Sequence, residues 1–301
     1  DLSFNEIQEF PASTFIKNTQ LKELDLTNNR LQLLPEAAFE ANTVLTKLWL
    51  GRNGIKEIRS SFWSSLTNLM ELDLNNNSLK SIGPLAFFNL QSLRKLDLTH
   101  NQIAFLSESD FANLLQLEVL SLSANKISKI DGKTFWNLPN LKELDLNSNA
   151  FVEMPDFSRL FSLAKLSISY VPISKMPAGA FSANNKLTWL TIQGTGIREL
   201  TDSFLPPGGL IDNIDLNFNS IETIWPKAFL QTSGGAIGRL DVSYNPLSEA
   251  TRLRLVDEFK SSKGMRLVVL PAQPNLPPPT RESVENKIGN VTRLLTVSSI
   301  N

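Results

Sequence analysis

The chain has no cysteine and a single histidine, His100, among its 301 residues. Without cysteine it can form no disulfide, and with one histidine it cannot build a zinc site from several Cys or His ligands. A Ser-His-Asp arrangement could use only His100. This composition argues against most hydrolase chemistry, and we expect neither an enzyme nor a cofactor or metal site.

Long apolar runs and an excess of charge of one sign are also missing. No stretch approaches the roughly 20 apolar residues that a membrane helix requires. Lys and Arg total 29 against 30 Asp and Glu, so the charge balance does not favour a nucleic acid or an anionic membrane. The glycine pairs at 208–209 and 234–235 lack the spacing of a phosphate-binding loop. We therefore expect no nucleic-acid partner and no direct membrane insertion.

The chain does contain a repeat. One pattern of apolar residues returns at intervals of 24, 24, 24, 24, 24, 22, 24, 24 and 26 residues. The repeats begin at Leu21, Leu45, Leu69, Leu93, Leu117, Leu141, Leu163, Leu187, Ile211 and Ile237. Positions 1, 4, 6, 11 and 14 of a repeat are apolar, and position 9 is Asn, as in LMELDLNNNSLKSI. Such a period indicates a solenoid, in which each repeat buries its apolar face against its neighbours.

The stretches LKELDLTNNRLQLLP, LMELDLNNNSLKSI and LRKLDLTHNQIAFL resemble the leucine-rich repeat family, whose pattern is LxxLxLxxNxLxxL. The resemblance covers roughly Asp1 to Leu247. It implies an α/β leucine-rich-repeat solenoid, a curved horseshoe with a parallel concave sheet of about eleven short strands. Irregular or 3-10 segments are expected on the convex side, and a helix plus a strand is expected as the C-terminal cap.

Each repeat is predicted to start with a short strand, because LxxLxLxxN alternates with a period of two. Leucines should point inward and the x positions outward. The segment Asp1–Asn5 matches the second half of such a strand, so we expect the natural protein to begin earlier. The Asn amides at position 9 can bind backbone groups of neighbouring repeats, which predicts a structural asparagine ladder. Its members are Asn29, Asn53, Asn77, Asn101, Asn125, Asn149, Asn219 and Asn245.

A second column of large apolar residues recurs later in the repeats and resembles the phenylalanine spine of the 24-residue class. We predict that these side chains are buried in the core. They are Phe15, Phe39, Trp63, Phe87, Phe111, Phe135, Phe181 and Phe229, with Phe157 shifted by a two-residue deletion and Leu205 as a substitute.

The pattern breaks in two adjacent repeats, where Val171 and Thr195 replace the ladder asparagine. Val has no side-chain hydrogen bond to offer and Thr has one short hydroxyl, so we expect water or altered backbone to replace the lost bonds. Two interpretations stay open. The breaks are ordinary tolerance of degenerate repeats, or they change the local curvature and shape a binding surface.

The repeat ends after Asn245. Ser248 can cap a helix in which Leu253, Val256 and Phe259 share one face, and Gly264 should end it before the strand-like MRLVVL. We predict four segments: repeats at 1–247 with an incomplete first repeat, a cap without disulfides at 248–271, a proline-rich linker at 272–280, and a tail or the start of a further module at 281–301.

Ligand-binding candidates are the outward aromatic and acidic residues of the predicted concave face. Aromatic side chains among polar groups are typical of interaction hot spots, and an acidic column could attract a cationic partner or bind calcium weakly. The candidates are Trp49, Tyr170, Trp189, Phe218, Tyr244, Asp73, Asp97 and Asp145. The sequons at Asn76 and Asn290 are the glycosylation candidates.

The resemblance favours a non-enzymatic module that binds another protein, as part of an extracellular or cell-surface receptor or adhesion protein. Secreted members of the family usually close both ends of the array with disulfide-bonded caps, which this chain lacks. A structural component that self-associates into an extracellular filament, matrix or coat is one alternative. A cytoplasmic scaffold is the other, and the absence of cysteine favours it.

Overall fold

The computed structural model describes residues 1–225, 228–229, 237–260 and 266–268, with the backbone alone for 256–260 and 266–268. The chain divides into two compact units. The first comprises Asp1–Phe151 and Pro155–Leu163, and the second comprises Val152–Met154 and Ala164–Asn301. The predicted linker and tail, Gly234, Gly235, Gly264 and the side chains of Val256 and Phe259 lie outside the described residues.

Each repeat of the first unit contributes one short strand to a parallel sheet ordered β1-β2-β3-β4-β6-β8, and β5 pairs with β7 in a smaller sheet. The strands are β1 Glu23–Asp25, β2 Lys47–Trp49, β3 Glu71–Asp73, β4 Lys95–Asp97, β5 Phe105–Leu106, β6 Val119–Ser121, β7 Lys129–Ile130 and β8 Glu143–Asp145. Two 3-10 helices are present in this unit, Ala12–Phe15 before β1 and Ser60–Trp63 between β2 and β3. Leucines pair in register across the sheet, as Leu48 does with Leu72, so the inward column is continuous.

The second unit continues the pattern with a parallel order β9-β10-β12-β14-β15 and a smaller pair, β11 with β13. Its elements are β9 Lys165–Ser167, β10 Trp189–Thr191, β11 Glu199–Leu200, β12 Ile211–Asp215, β13 Thr223–Ile224, β14 Ile237–Asp241, α1 Glu249–Lys260 and β15 Arg266–Val268. The predicted C-terminal helix and strand are thus confirmed. The Ser248 hydroxyl accepts the Thr251 amide at 3.2 Å, which is the expected N-cap bond.

The expected strand at Asp1–Asn5 is wrong. Only the amides of Leu2 and Phe4 donate across to Asp25 and Thr27, at 2.8 and 2.9 Å, and the segment forms no strand. Among the described residues, the main strand row of the first unit has six strands and that of the second unit has five, the last of which is β15. Half a strand motif supplies too few paired residues to extend the ladder, whereas MRLVVL pairs three residues with β14.

The predicted phenylalanine spine is buried, with one correction. Rings of neighbouring repeats stack, as Phe111 and Phe135 do at 6.3 Å, and the shifted Phe157 continues that row at 6.1 Å from Phe135. In the second unit the ring between Phe181 and Phe229 belongs to Phe204, at 5.5 and 6.3 Å, rather than to the predicted Leu205. Both residues are buried, so a one-residue offset in the turn decides which one faces the spine.

Position 9 asparagines of the first unit bind the backbone on both sides. Asn101 donates to the carbonyls of Leu74 and Leu98 at 2.9 and 3.1 Å, and its oxygen accepts the Leu79 amide at 3.0 Å. Equivalent bonds are made by Asn29, Asn53, Asn77, Asn125 and Asn149. The repeat after Asn149 has Val171 at position 9, so the ladder does not continue there. One buried amide group therefore bonds three backbone groups, and each of the two carbonyls is shared with a neighbouring ladder asparagine, Asn77 or Asn125.

Candidate interaction surface

The outward side chains at positions 3, 5 and 7 of the repeats form what we call the strand face. From β1 to β4 its position 3 residues alternate in sign. Lys47 lies 2.8 Å from Glu23, and Lys95 lies 3.0 Å from Glu71. The Lys47 ammonium donates a hydrogen bond to Glu23, and this bond raises the pKa of Lys47. Because these pairs are exposed, they neutralise the face more than they stabilise the fold.

Trp49, a sequence candidate, is half-buried within this charged row. Its indole N–H points to Glu71 at 3.4 Å, and the Lys47 ammonium lies 5.7 Å from the ring centre. The indole is thus engaged by neighbours on two strands, and it offers a partner less free surface than its strand position suggested.

The candidate carboxylates Asp73, Asp97 and Asp145 are half-buried and cap the turns that follow their strands. Each accepts the backbone amide two residues later, at 2.8 to 2.9 Å. Burial raises the pKa of Asp73 and of Asp145. Their outward orientation therefore serves a local structural bond first, which the sequence-based interpretation of a simple acidic column missed.

Trp189 is the most exposed of the aromatic candidates on the strand face, at 47%. Its indole N–H donates to the Thr191 hydroxyl at 3.1 Å, which restrains the ring on β10. Its register partners are Lys165 on β9 and Asn213 on β12. A large restrained aromatic surface flanked by polar side chains is what interaction hot spots require.

The broken ladder of the second unit is closed by altered backbone bonds. At the first break the Ile173 amide turns back to the Val171 carbonyl at 2.9 Å. At the second, the Asn219 oxygen accepts both the amide and the hydroxyl of Thr195, at 2.8 and 2.6 Å. Asn219 and Asn245 otherwise keep ladder bonds to the Ile192 and Leu216 carbonyls.

Position 8 of every repeat adopts a left-handed backbone, which the sequence pattern did not reveal. We call this row the edge column. Its φ values lie between +50° and +60° for Phe4, Asn28, Arg52, Asn76, His100, Ala124, Ser148, Tyr170, Gly194, Phe218 and Tyr244. In most repeats the amide of this residue donates to the position 7 carbonyl of the next repeat, as from Asn28 to Gly51 at 2.9 Å. That bond offsets part of the steric cost of this conformation.

Three aromatic candidates belong to the edge column of the second unit rather than to its strands. Tyr170, Phe218 and Tyr244 are half-buried, which corrects the expectation that they point freely to solvent. Phe218 and Tyr244 stack with ring centres 4.2 Å apart and planes 8° apart. The Tyr170 ring lies against Gly194, where an added Cβ would come within 2.7 Å of it. Residue types at position 8 are the signal that could have located this cluster.

Two further carboxylates lie on the strand face beside this cluster. Asp215 and Asp241 are register partners on β12 and β14. Burial and the neighbouring Asp241 raise the pKa of Asp215 to about 6. Arg239 donates to Asp241 at 3.0 Å, and the Asn217 amide donates to Asp215 at 3.2 Å.

The sequon residue Asn76 is exposed in the edge column of the first unit, with its side-chain amide donating to Asn75 at 2.8 Å. The other sequon residue, Asn290, lies outside the described residues. Within the part of the chain that the structure describes, no helix is long and apolar enough to cross a bilayer.

Solved structures similar to this chain are repeat solenoids. A chain from the octameric complex of Latrophilin 3, Unc5D and FLRT2, in which FLRT2 supplies the leucine-rich repeats, aligns with a TM-score of 0.74 and 21% identity, covering 93% of this chain and 84% of that one. A leucine-rich repeat protein of Leptospira interrogans aligns with a TM-score of 0.66 and 25% identity, covering 89% and 71%.

A chain of the Toll–Spatzle complex of Drosophila aligns with a TM-score of 0.65 and 18% identity. The alignment covers 89% of this chain and 40% of that one. These likenesses support the fold. No curated protein matches the chain.

The sequence pattern described as Leucine rich repeat matches residues 1–55, 43–103 and 91–151. These matches together span half of the chain and coincide with the regular strands and asparagines of the first unit. The chain therefore belongs to the leucine-rich repeat family.

Proposed function

We propose that the chain is a non-enzymatic recognition module of an extracellular or cell-surface protein, and that it binds another protein through its strand face. The observation that carries this proposal is Trp189, half exposed on a short strand and restrained by Thr191. Restrained aromatic residues lose little conformational entropy on binding, which is why they dominate protein interfaces.

The similar proteins support the same class of function. FLRT2 occurs in a complex with Latrophilin 3 and Unc5D, and Toll occurs in a complex with Spatzle. The paired charges of the first unit leave its strand face close to neutral. Trp189 in the second unit, an aromatic side chain among polar neighbours, is therefore the better candidate for partner binding.

Site-specific photo-crosslinking tests the surface. A photoreactive residue replaces Trp189 in one protein and Trp136 in another, since both indoles are exposed, at 47% and 39%, but only Trp189 lies on a strand. We expect one protein on intact cells to crosslink from position 189 and not from 136. Crosslinking to a second copy of the chain would favour the self-associating alternative.

Affinity then tests the residue. With the crosslinked partner purified, Trp189→Ala should raise the dissociation constant at least tenfold, as hot-spot truncations do. Trp136→Ala should leave it unchanged, and both variants should melt like the wild type. Equal affinity of wild type and Trp189→Ala would refute the proposed surface.

The proposed compartment has a separate test. Intact mass of the protein from its natural source should show a glycan, and Asn76 is the described sequon that is exposed. Recovery of the unmodified protein from a cytosolic fraction would instead support the intracellular scaffold.

A further inference from the structure

We infer that the second unit binds a Lys ammonium or Arg guanidinium of its protein partner, beside Asp215 and Asp241 on the strand face. The inference rests on the proposed function, because it names the chemistry that the partner must present. Four observations carry it: an uncompensated charge, a shielded amide oxygen without a donor, a stacked aromatic pair and the register of the strands.

The charges of the described side chains around Asp215 do not balance. Asp215 and Asp241 are adjacent in register, and among those side chains Arg239 is the cation that contacts the pair, through Asp241 at 3.0 Å. The groups that donate to Asp215 are neutral, namely the Asn217 backbone amide and the Gln193 side chain. Two carboxylates therefore share one guanidinium, and one negative charge remains at a half-buried position. A cation placed there would be attracted more strongly than at an exposed site.

One nearby amide group has an acceptor to spare. The Asn217 side-chain oxygen is shielded from solvent and accepts no bond within the described residues. Asn217 follows β12 in a turn, and its backbone amide donates to Asp215 at 3.2 Å, so the two residues are adjacent. Asn213, two residues before Asp215 on the same face of β12, is 4% exposed. A buried amide oxygen that lacks a donor costs free energy, which an incoming N–H group would recover.

The aromatic pair supplies the remaining part of such a site. Phe218 follows this segment directly and stacks on Tyr244 at 4.2 Å. Aromatic rings accept cations over their faces and pack against the aliphatic part of Lys and Arg side chains. Carboxylates would repel an anionic ligand. Among the described residues no three His, Cys, Asp or Glu side chains converge as metal ligands, so a multidentate N–H donor fits the acceptors better than a divalent metal.

The test uses the whole chain with selectively labelled aspartate and aromatic residues, and four probes: Ac-Gly-Arg-Gly-NH₂, Ac-Gly-Lys-Gly-NH₂, Ac-Gly-Gln-Gly-NH₂ and calcium chloride. At pH 7.4 we expect the Arg or Lys peptide to shift the Asp215 carboxyl carbon and the Phe218 and Tyr244 ring protons saturably. The neutral Gln peptide should not.

Asp215→Asn is the main variant, and Asp25→Asn is its control because Asp25 holds the same repeat position in β1 and caps Thr27 at 2.8 Å. Asp215→Asn should weaken cationic-peptide binding at least tenfold, and Asp25→Asn should not change it. Tyr244→Leu, which removes the stack and keeps the charge, should weaken binding about threefold. Circular dichroism establishes that each variant is folded.

Binding should also weaken by up to about tenfold from pH 7.4 to pH 5, because protonated Asp215 no longer attracts a cation. The charged groups that face Asp215 are Asp241 and Arg239, both from β14. Equal responses to the Arg and Gln peptides, unchanged binding in Asp215→Asn, or saturation by calcium alone would each overturn the inference. Loss of the peptide response while partner binding still depends on Trp189 would reject this inference and leave the proposed function standing.

Discussion

Asn101 in the first unit and Thr195 in the second hold the same place in the repeat, but different neighbours surround them. Asn101 makes three backbone bonds of the kind made throughout the first unit. Thr195 shares the oxygen of Asn219 instead. The edge column is polar through most of the first unit and becomes aromatic in the second. The unit in which the asparagine ladder is interrupted is therefore also the unit in which the edge column changes from mostly polar to mostly aromatic residues.

Removing a spine ring tests whether both units depend equally on their cores. Phe111→Ala and Phe204→Ala should each lower the free energy of unfolding by about 3 to 5 kcal/mol, because both rings are fully buried and leave a cavity. Chemical denaturation followed by circular dichroism measures this. A loss below about 1 kcal/mol at Phe204 would show that the second unit does not need its spine.

Removing the position 9 side-chain hydrogen bonds in one repeat of each unit should lower the free energy of unfolding by different amounts. Asn101→Ala should cost about 2 to 3 kcal/mol, because it leaves the buried Leu79 amide unpaired and removes one of the two bonds at each of the Leu74 and Leu98 carbonyls. Thr195→Val should cost about 1 kcal/mol, because the Asn219 oxygen still accepts the backbone amide of residue 195. Equal losses, measured by denaturant unfolding, would contradict the comparison.

Acid should stabilise the second unit through Asp215. Burial raises its pKa from the ordinary value of 3.8 to about 6, so the folded state binds the proton more tightly than the unfolded state does. The resulting stability, at most about 3 kcal/mol, is present below pH 3.8 and is lost as the pH rises through 6. Asp215→Asn should remove this pH dependence, which is measured as the wild-type minus variant difference in unfolding free energy from pH 4 to 7. A constant difference would show that Asp215 titrates normally.

The smallest expected effect compares two glycines of the second unit. Gly194 and Gly208 have φ values of +60° and +73°, but only Gly194 has Tyr170 where a Cβ would lie. Gly194→Ala should therefore cost about 1 to 2 kcal/mol more than Gly208→Ala, whose cost is the backbone strain alone. Thermal melting of both variants measures the difference. Identical melting temperatures would mean that the Tyr170 ring moves aside freely.

The period of the sequence predicted the strands, the buried leucines and most of the spine, because those residues are selected by one requirement, burial at a fixed spacing. Phe204 escaped because Leu205 satisfies the same requirement one residue later. The strand predicted at Asp1–Asn5 does not form, because the sequence pattern does not indicate how many paired residues a β-strand requires. These errors lie where two adjacent residues compete or where pairing is incomplete.

The candidate surface was less accessible to prediction. Trp189 was found because outward strand positions alternate reliably. Asp215 belongs to the acidic strand column of the sequence but was not singled out as a candidate, and Asn213 and Gly194 were missed. Their interest depends on neighbours 24 or more residues away, such as Asp241 and Tyr170. The edge column was assumed to extend the strand, although a positive φ turns its side chains aside. The spacing of apolar residues in the sequence does not reveal this change in side-chain direction at position 8.

The edge column also has a practical consequence for protein engineering. Ten non-glycine residues of very different size and charge, including Phe4, Arg52, Ala124 and Tyr244, adopt nearly the same φ there, and most bond to the backbone through the main-chain amide alone. Since the conformation is imposed by the stacking of repeats rather than by the residue type, the side chain at this position is open to choice. A new recognition motif could therefore be written along the edge, one residue per repeat, without redesigning the core.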